Sequence, residues 1–174
     1  MALLSEKTRA EIQRLTAYFP QRRTALLPAL RLAQAEYGYL PPEVVAEVCE
    51  IVQVDPNAAE MLITFYDLLY REPVGRYVLG LCRGLACYLL GCDHLLAYLQ
   101  EKLGIGLNQT TPDGLFTLRT FECLARCDQA PVMLLNGEEY VGHLTPEKLD
   151  ALLAQWAEEA RRPAEPPVTG GEGA

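Results

Sequence analysis

The sequence predicts a mixed fold, with an N-terminal bundle of short helices followed by a layer of strands and helices of the α+β or α/β type. Half of the 174 residues are hydrophobic, which is enough apolar material for a buried core. Residues 1–72 show helical spacing of apolar side chains interrupted by proline and glycine, whereas residues 73–160 contain short β-prone runs. Residues 161–174 are rich in proline and glycine and are expected to form a disordered tail.

Four short helices are predicted in residues 1–72. Ser5 is a suitable N-cap for the first, and Asp55 followed by proline is a suitable start for the fourth. Brief connections between short amphipathic helices are typical of a small bundle. The helices are expected over 6–18, over 24–36, from Pro42 along the stripe that includes Val44 and Val52, and from Pro56 through Leu69.

The second segment is predicted to alternate strands and helices in the order βα, βββ, α, which is typical of a thioredoxin-like layer. Asn136-Gly137 is a strong signal for a tight hairpin, so the strands on either side of it must be antiparallel. The helix between the first two strands permits these two to be parallel. The expected elements are a strand over 76–81, a long helical stretch after Cys87 to Leu103, strands over 115–121, 132–135 and 138–141, and a helix from Pro146 to about Glu159.

Charge and composition exclude several classes of partner. The formal net charge of -8 leaves no general basic surface for a polyanion, so we expect no nucleic-acid partner. No uninterrupted apolar stretch reaches the roughly 18 to 20 residues needed to span a bilayer. The start of the chain lacks the pattern of a secretory signal, and a cytoplasmic setting is expected.

Four of the six cysteines form two closely spaced pairs. Cys82 and Cys87 are separated by four residues, Cys123 and Cys127 by three, and each pair is expected in a loop just after a strand. If those strands are neighbours, four thiolates converge at one end of the sheet. Such a set suits a 2Fe-2S cluster above all, since longer spacings reach around a binuclear cluster, and a structural zinc ion second. The chain has no C-x-x-C pair, which disfavours a thioredoxin-type redox site.

The other two cysteines are interpreted as packing residues. Cys49 lies beside Val48 on a predicted helix, and Cys92 lies inside a predicted helix five residues after Cys87. Free cysteine is among the most buried residue types, so neither needs a chemical role. His94 and His143 are isolated and are not expected to be ligands.

The segments around the paired cysteines resemble a known family. Residues 78–91 read VLGLCRGLACYLLG and residues 122–133 read ECLARCDQAPVM. Both are similar to the small thioredoxin-like 2Fe-2S subunit of the NADH-oxidising module of respiratory complex I, which is the E-subunit family of NADH-quinone oxidoreductase (the NuoE type). The resemblance implies a helical bundle followed by a thioredoxin-like 2Fe-2S ferredoxin domain, with the four paired cysteines as cluster ligands and no other catalytic residue.

The resemblance also implies what such a subunit works with. It would exchange single electrons with a flavin on a partner subunit that also binds NADH, and it would not be active alone. It would lie peripherally on the cytoplasmic side of the membrane through its complex. The sequence has no glycine-rich phosphate loop that opens a helix after a strand, and so it shows no nucleotide site of its own.

Other functions remain open at this point. An equivalent diaphorase subunit of an NAD-linked hydrogenase or formate dehydrogenase would use the same chemistry in another complex. A zinc-stabilised interaction module would have no redox role. A free-standing ferredoxin is disfavoured by the additional N-terminal helices.

Two positions near the second pair depart from the family pattern. Ala125 stands where glycine is common, and its N–H can still donate to a sulfur if its φ is negative. Arg126 stands where a small uncharged residue is usual. Arg83 and Arg126 would favour a reduced cluster by placing positive charge beside it, or they are simply solvated loop arginines.

Nearby apolar residues could keep water away from a cluster. Leu85, Leu124 and Met133 are candidates for this, and ordinary packing is compatible with that role. The Ala130–Pro131 bond precedes a predicted strand, where thioredoxin-like folds often have a cis proline, and a cis bond is the hypothesis here.

Overall fold

The computed structural model describes residues 3–161 of the chain. The chain divides into two compact units, Met1–Val74 and Gly75–Ala174. The expected tail lies outside the described residues except for Arg161, which ends the last helix. Among residues 3–161 no helix is both long and apolar enough to cross a membrane.

The first unit consists of four helices. The Ser5 hydroxyl accepts a hydrogen bond from the N–H of Thr8 at 3.2 Å, which caps the first helix as predicted. Gly38 ends the second helix with a φ of 89°, a left-handed conformation that glycine adopts without steric cost. The helices are α1 (Glu6–Tyr18), α2 (Leu26–Tyr37, preceded by a 3-10 turn over Arg22–Ala25), α3 (Pro42–Val52) and α4 (Pro56–Phe65).

The apolar faces of these helices form one core. Ile12, Leu30 and Val48, from α1, α2 and α3, are fully buried in it. Burial of this kind, rather than helix propensity alone, supplies most of the stability of short helices.

Helix α4 ends at Phe65, so the prediction that it continues to Leu69 is wrong. Gln34 of α2 binds the segment that follows. Its side-chain oxygen accepts from the N–H of Tyr70 at 2.7 Å, and its side-chain nitrogen donates to the carbonyl of Leu68 at 2.8 Å. Backbone groups that bond to Gln34 in this way leave the helical hydrogen-bonding pattern.

The second unit is built on a five-stranded mixed sheet. The strands are β1 (Tyr77–Cys82), β2 (Gln109–Thr110), β3 (Phe116–Phe121), β4 (Met133–Leu135) and β5 (Glu139–Val141), in the order β2-β3-β1-β4-β5. β1 and β3 are parallel, and the other neighbouring pairs are antiparallel. The predicted mixed fold is therefore confirmed, with the short edge strand β2 as an addition that the sequence pattern did not indicate.

Two helices follow β1 where one long helix was expected. They are α5 (Leu85–Leu89) and α6 (Cys92–Leu103). Gly91 separates them with a φ of 83°, a conformation that cannot continue a right-handed helix. The prediction of a continuous helical stretch from Cys87 is wrong for this reason.

The end of the chain follows the prediction closely. Asn136 and Gly137 have φ values of 52° and 75°, as a type I′ turn requires, and they join β4 to β5. Helix α7 (Pro146–Arg161) then packs its buried Leu149 and Trp156 into the core of this unit. The Ala130–Pro131 bond before β4 is cis, which confirms that hypothesis.

Candidate metal centre

The parallel pairing of β1 and β3 brings the two cysteine-bearing segments to one end of the sheet. Cys82 is in register with Phe121, so both strands end at the same level. Parallel strands have their carboxyl ends on the same edge, and the chain after each strand carries one cysteine pair. The condition for convergence of the cysteines, that these strands be neighbours, is met.

The first cysteine segment, residues 82–87, is part of the folded core. Cys82 is the last residue of β1, and its N–H donates to the carbonyl of Val132 at 3.0 Å. Cys87 lies inside α5 and is 2% exposed. The expectation that both residues lie in a loop is therefore wrong. Burial raises the pKa of the Cys87 thiol to about 11; a backbone hydrogen bond with Val132 opposes this shift, and the adjacent Cys82 sulfur adds to it.

The second cysteine segment, residues 123–127, is an exposed loop. Cys123 and Cys127 are both exposed, and Cys127 begins a 3-10 turn that ends at Gln129. Ala125, between them, has a φ of 54°, so the expectation of a negative φ is wrong. Its N–H nevertheless donates to the Cys123 sulfur at 3.4 Å.

Backbone N–H groups join the two segments around the Cys82 sulfur. Gly84, in the first segment, and Leu124, in the second, each donate to that sulfur at 3.4 Å. Sulfur atoms that ligate iron are commonly stabilised by such donors, because the N–H dipole offsets their negative charge. The chemistry of the donor set therefore suits an iron-sulfur group bound by thiolates.

Gly84 also lets the segments approach closely. A Cβ at this position would stand 3.2 Å from the Glu122 carbonyl oxygen and 3.3 Å from the Cys123 sulfur. The sequence reasoning above did not single out Gly84. A small residue between the two cysteines of the first pair is the signal that could have found it.

The thiols themselves are not arranged as a finished ligand set. Within residues 3–161, no three His, Cys, Asp or Glu side chains meet in a geometry that could hold a metal ion. What the fold brings together is the two segments and their backbone donors.

The remaining cysteines have different surroundings. Cys49 is 2% exposed in the helical core of the first unit, beside Val48 and Val52. Cys92 is fully buried as the first residue of α6, in the same core as Cys82 and Cys87. Burial raises the pKa of both thiols.

The two arginines of the cysteine segments differ in their contacts. Arg83 forms an ion pair with Asp93 at 3.2 Å. The Arg126 guanidinium lies over the Tyr140 ring, 5.2 Å from its centre, and its buried Nε has no hydrogen-bond partner within residues 3–161.

The three apolar residues expected to exclude water are not equivalent. Met133 is fully buried and Leu124 is partly buried against the core. Leu85 is 76% exposed, which contradicts the expectation that it shields a site within this chain. It lies with Tyr88 and Leu89 on the exposed face of α5, because Cys87 occupies the inward face of this short helix.

Comparison with known proteins identifies the family. The model of a family described as thioredoxin-like [2Fe-2S] ferredoxin matches residues 12–157. The chain belongs to this family.

Individual relatives of this ferredoxin-like chain carry consistent names. The NADH-quinone oxidoreductase E-subunit numbered 2 of Rhizobium meliloti is 48% identical over 83% of this chain and 86% of its own length. NADH-quinone oxidoreductase subunit 2 of Thermus thermophilus is 42% identical over 76% of this chain and 74% of its own. The resemblance to the NuoE type that was drawn from the cysteine segments is confirmed.

A solved structure supports the fold. The structure of an NAD+-reducing [NiFe]-hydrogenase in the air-oxidised state matches with a TM-score of 0.68 and 24% identity over 81% of this chain. Our chain spans only 24% of that hydrogenase chain, so this match concerns the architecture alone.

Proposed function

We propose that this chain is the electron-transfer subunit of an NADH:quinone oxidoreductase and carries one 2Fe-2S cluster. The observation that supports this most is the meeting of the two cysteine segments through N–H donors to the Cys82 sulfur. Membership of the thioredoxin-like [2Fe-2S] ferredoxin family and the names of its relatives support the same function.

Cys82, Cys87, Cys123 and Cys127 are the proposed ligands. When bound, a 2Fe-2S cluster supplies one site for reversible one-electron transfer. The N–H groups of Gly84, Leu124 and Ala125 would stabilise the negative charge on the ligating sulfurs.

The protein must also complete the ligand set when the metal binds. Cys87 is buried with a raised pKa, so the thiol loses its proton only as iron replaces it. The exposed second segment can close over the site because its side chains are in contact with solvent rather than fixed in the core. Met133 and Leu124 would then limit access of water.

Flavin and NADH are proposed to bind a partner subunit. The chain supplies a one-electron site and shows no phosphate-binding loop, so it requires another protein to take a hydride from NADH. We propose that it is inactive alone, that the helical unit contributes a docking surface, and that the complex places it on the cytoplasmic side of the membrane.

Purification of the tagged chain from its native cells tests this proposal. We expect a flavoprotein that oxidises NADH to co-purify with it, and NADH to bleach the cluster absorbance in the complex but not in the isolated chain. A preparation in which NADH reduces the isolated chain directly would contradict the assignment of nucleotide binding to a partner. Cys49→Ser is a suitable control, since it changes a buried thiol that is not a proposed ligand.

A second candidate is the same role in an NAD-linked hydrogenase or formate dehydrogenase. The structural match to an NAD+-reducing hydrogenase favours keeping it. The partners recovered in the same purification distinguish the two, because nickel-containing or formate-oxidising subunits would replace quinone-reducing ones.

A further inference from the structure

The arginine between Ala125 and Cys127 stands out because no acid among the described residues is seen to pair with it. The Arg126 guanidinium contacts the Tyr140 ring, and its Nε is buried without a hydrogen-bond partner in the same part of the chain. A half-buried arginine usually binds a carboxylate or a carbonyl, since an unsatisfied N–H in the interior is costly. An aromatic ring attracts the cation but accepts little from the buried Nε.

Arg83 provides the comparison. It also lies in a cysteine segment, directly after Cys82, but its guanidinium pairs with Asp93 through two contacts of 3.2 and 3.3 Å. The pair has no net charge, so it contributes little electric field to its surroundings. The two arginines therefore have the same formal charge and different electrostatic effects.

The position of Arg126 places its charge close to the proposed ligands. Neighbouring Cα atoms are only about 3.8 Å apart, so the side chain originates next to that of Cys127. Glu122 and Asp128 lie in the same stretch, but both are exposed, and solvent screens their charges more strongly than that of a half-buried group.

We propose that Arg126 raises the reduction potential of the bound cluster, whereas the Arg83–Asp93 pair does not. This inference rests on the proposed function. A 2Fe-2S cluster with four thiolate ligands gains one negative charge when it accepts one electron, and a nearby cation without an acidic partner stabilises that state. Removal of the cation makes reduction less favourable by about tenfold, which is about 59 mV for a one-electron couple.

The test is a potentiometric titration of the full-length chain, with dithionite as reductant and redox dyes as mediators. We expect Arg126→Gln to lower the midpoint potential by the equivalent of about tenfold, and Arg126→Lys to stay within about threefold of the unmodified chain because it keeps the charge. The double variant Arg83→Gln/Asp93→Asn removes the neutral pair and should leave the potential within the same threefold limit.

Several outcomes would overturn the inference. An unchanged potential in Arg126→Gln, with the cluster spectrum intact, would show that the charge has no influence. An equal shift in Arg126→Lys would show that the guanidinium acts through packing rather than charge. A variant that holds no cluster would assign Arg126 to assembly instead. Absence of a cluster in the unmodified chain would instead contradict the proposed function, so the two failures are distinguishable.

Discussion

The two cysteine segments are built in opposite ways. The first, residues 82–87, begins in the central strand β1 and ends in α5, and both of its cysteines are buried. The second, residues 123–127, is a loop with both cysteines exposed and with Ala125 in a left-handed conformation. One half of the candidate site is therefore fixed by the folding of the sheet, and the other half lies over it.

This difference explains how a binding site can exist before its metal arrives. The buried segment supplies Cys82 as a fixed acceptor, and the exposed segment contacts it through the N–H of Leu124. Because the second pair is held by few contacts, we expect its order to depend on the bound metal, while the first pair stays in place through the hydrophobic core.

Serine substitutions should break this comparison with the largest effect. We expect Cys82→Ser, Cys87→Ser, Cys123→Ser and Cys127→Ser each to lose most of the cluster absorbance, because each removes a thiolate. Without the cluster, Cys87→Ser should also cost about 1–3 kcal/mol in the free energy of unfolding, since it buries a hydroxyl, whereas Cys127→Ser should change it by less than about 0.5 kcal/mol. Chemical denaturation of the metal-free chain measures this difference.

Two buried cysteines outside the proposed ligand set serve as controls. Cys49→Ser and Cys92→Ser should reduce stability as a buried substitution does while leaving the cluster spectrum intact. Loss of the cluster in Cys92→Ser together with an unaffected Cys87→Ser would show that the first pair is wrongly assigned.

Gly84→Ala tests the close approach of the two segments. The added methyl group would meet the Glu122 carbonyl oxygen at 3.2 Å and Cys123 at 3.3 Å, so the exposed segment must shift by a few tenths of an ångström. We expect slower cluster assembly and faster loss to a chelator, followed by visible absorption. Gly106→Ala is the matched control, because its methyl group would meet a flexible Gln109 side chain at the same 3.2 Å. Equal behaviour of the two variants would argue against a role for this contact.

Ala125→Gly should strengthen the second segment. A left-handed conformation costs alanine roughly 1–2 kcal/mol, and glycine removes that cost while losing about 0.5–1 kcal/mol more conformational entropy on folding. The net result expected is a stabilisation of about 0.5 kcal/mol, measured as a higher unfolding temperature of the cluster-bearing chain. A lower unfolding temperature would show that Ala125 is not strained.

The smallest effect is expected at the turn that leads into β3. Hydrogen bonds from the Thr111 hydroxyl and the Leu115 N–H lower the pKa of Asp113. A lowered pKa in the folded chain means that this contribution to stability is present above the ordinary pKa of the group and is lost as pH falls through the folded value. Asp113→Asn should therefore reduce the acid sensitivity of the metal-free chain slightly, in unfolding curves recorded between pH 7 and pH 3. An identical pH dependence in both chains would contradict this.

Much of the fold can be predicted from local signals in the sequence. Ser5, Asp55 and the Asn136-Gly137 turn each have a hydrogen-bonding or conformational preference that acts within a few residues. The end of α4 could not be predicted, because it depends on Gln34, which lies more than 30 residues earlier in the chain and binds the segment after Phe65.

The candidate site divides in the same manner. The spacing of the cysteines and the parallel strands predict which segments meet, and the structure shows them at one end of the sheet. The burial of Cys87, the sign of φ at Ala125 and the exposure of Leu85 depend on how α5 and the second segment pack in three dimensions. The role of Cys82, Cys87, Cys123 and Cys127 as the complete ligand set stays a prediction.

Metal and sulfide analysis of the purified full-length chain, combined with visible absorption, tests the central claim most directly. We predict a coloured protein with about two irons and two acid-labile sulfides per chain, whose absorbance bleaches on uptake of one electron. A colourless chain that contains one zinc ion and no sulfide would contradict this account and would favour a zinc-stabilised interaction module.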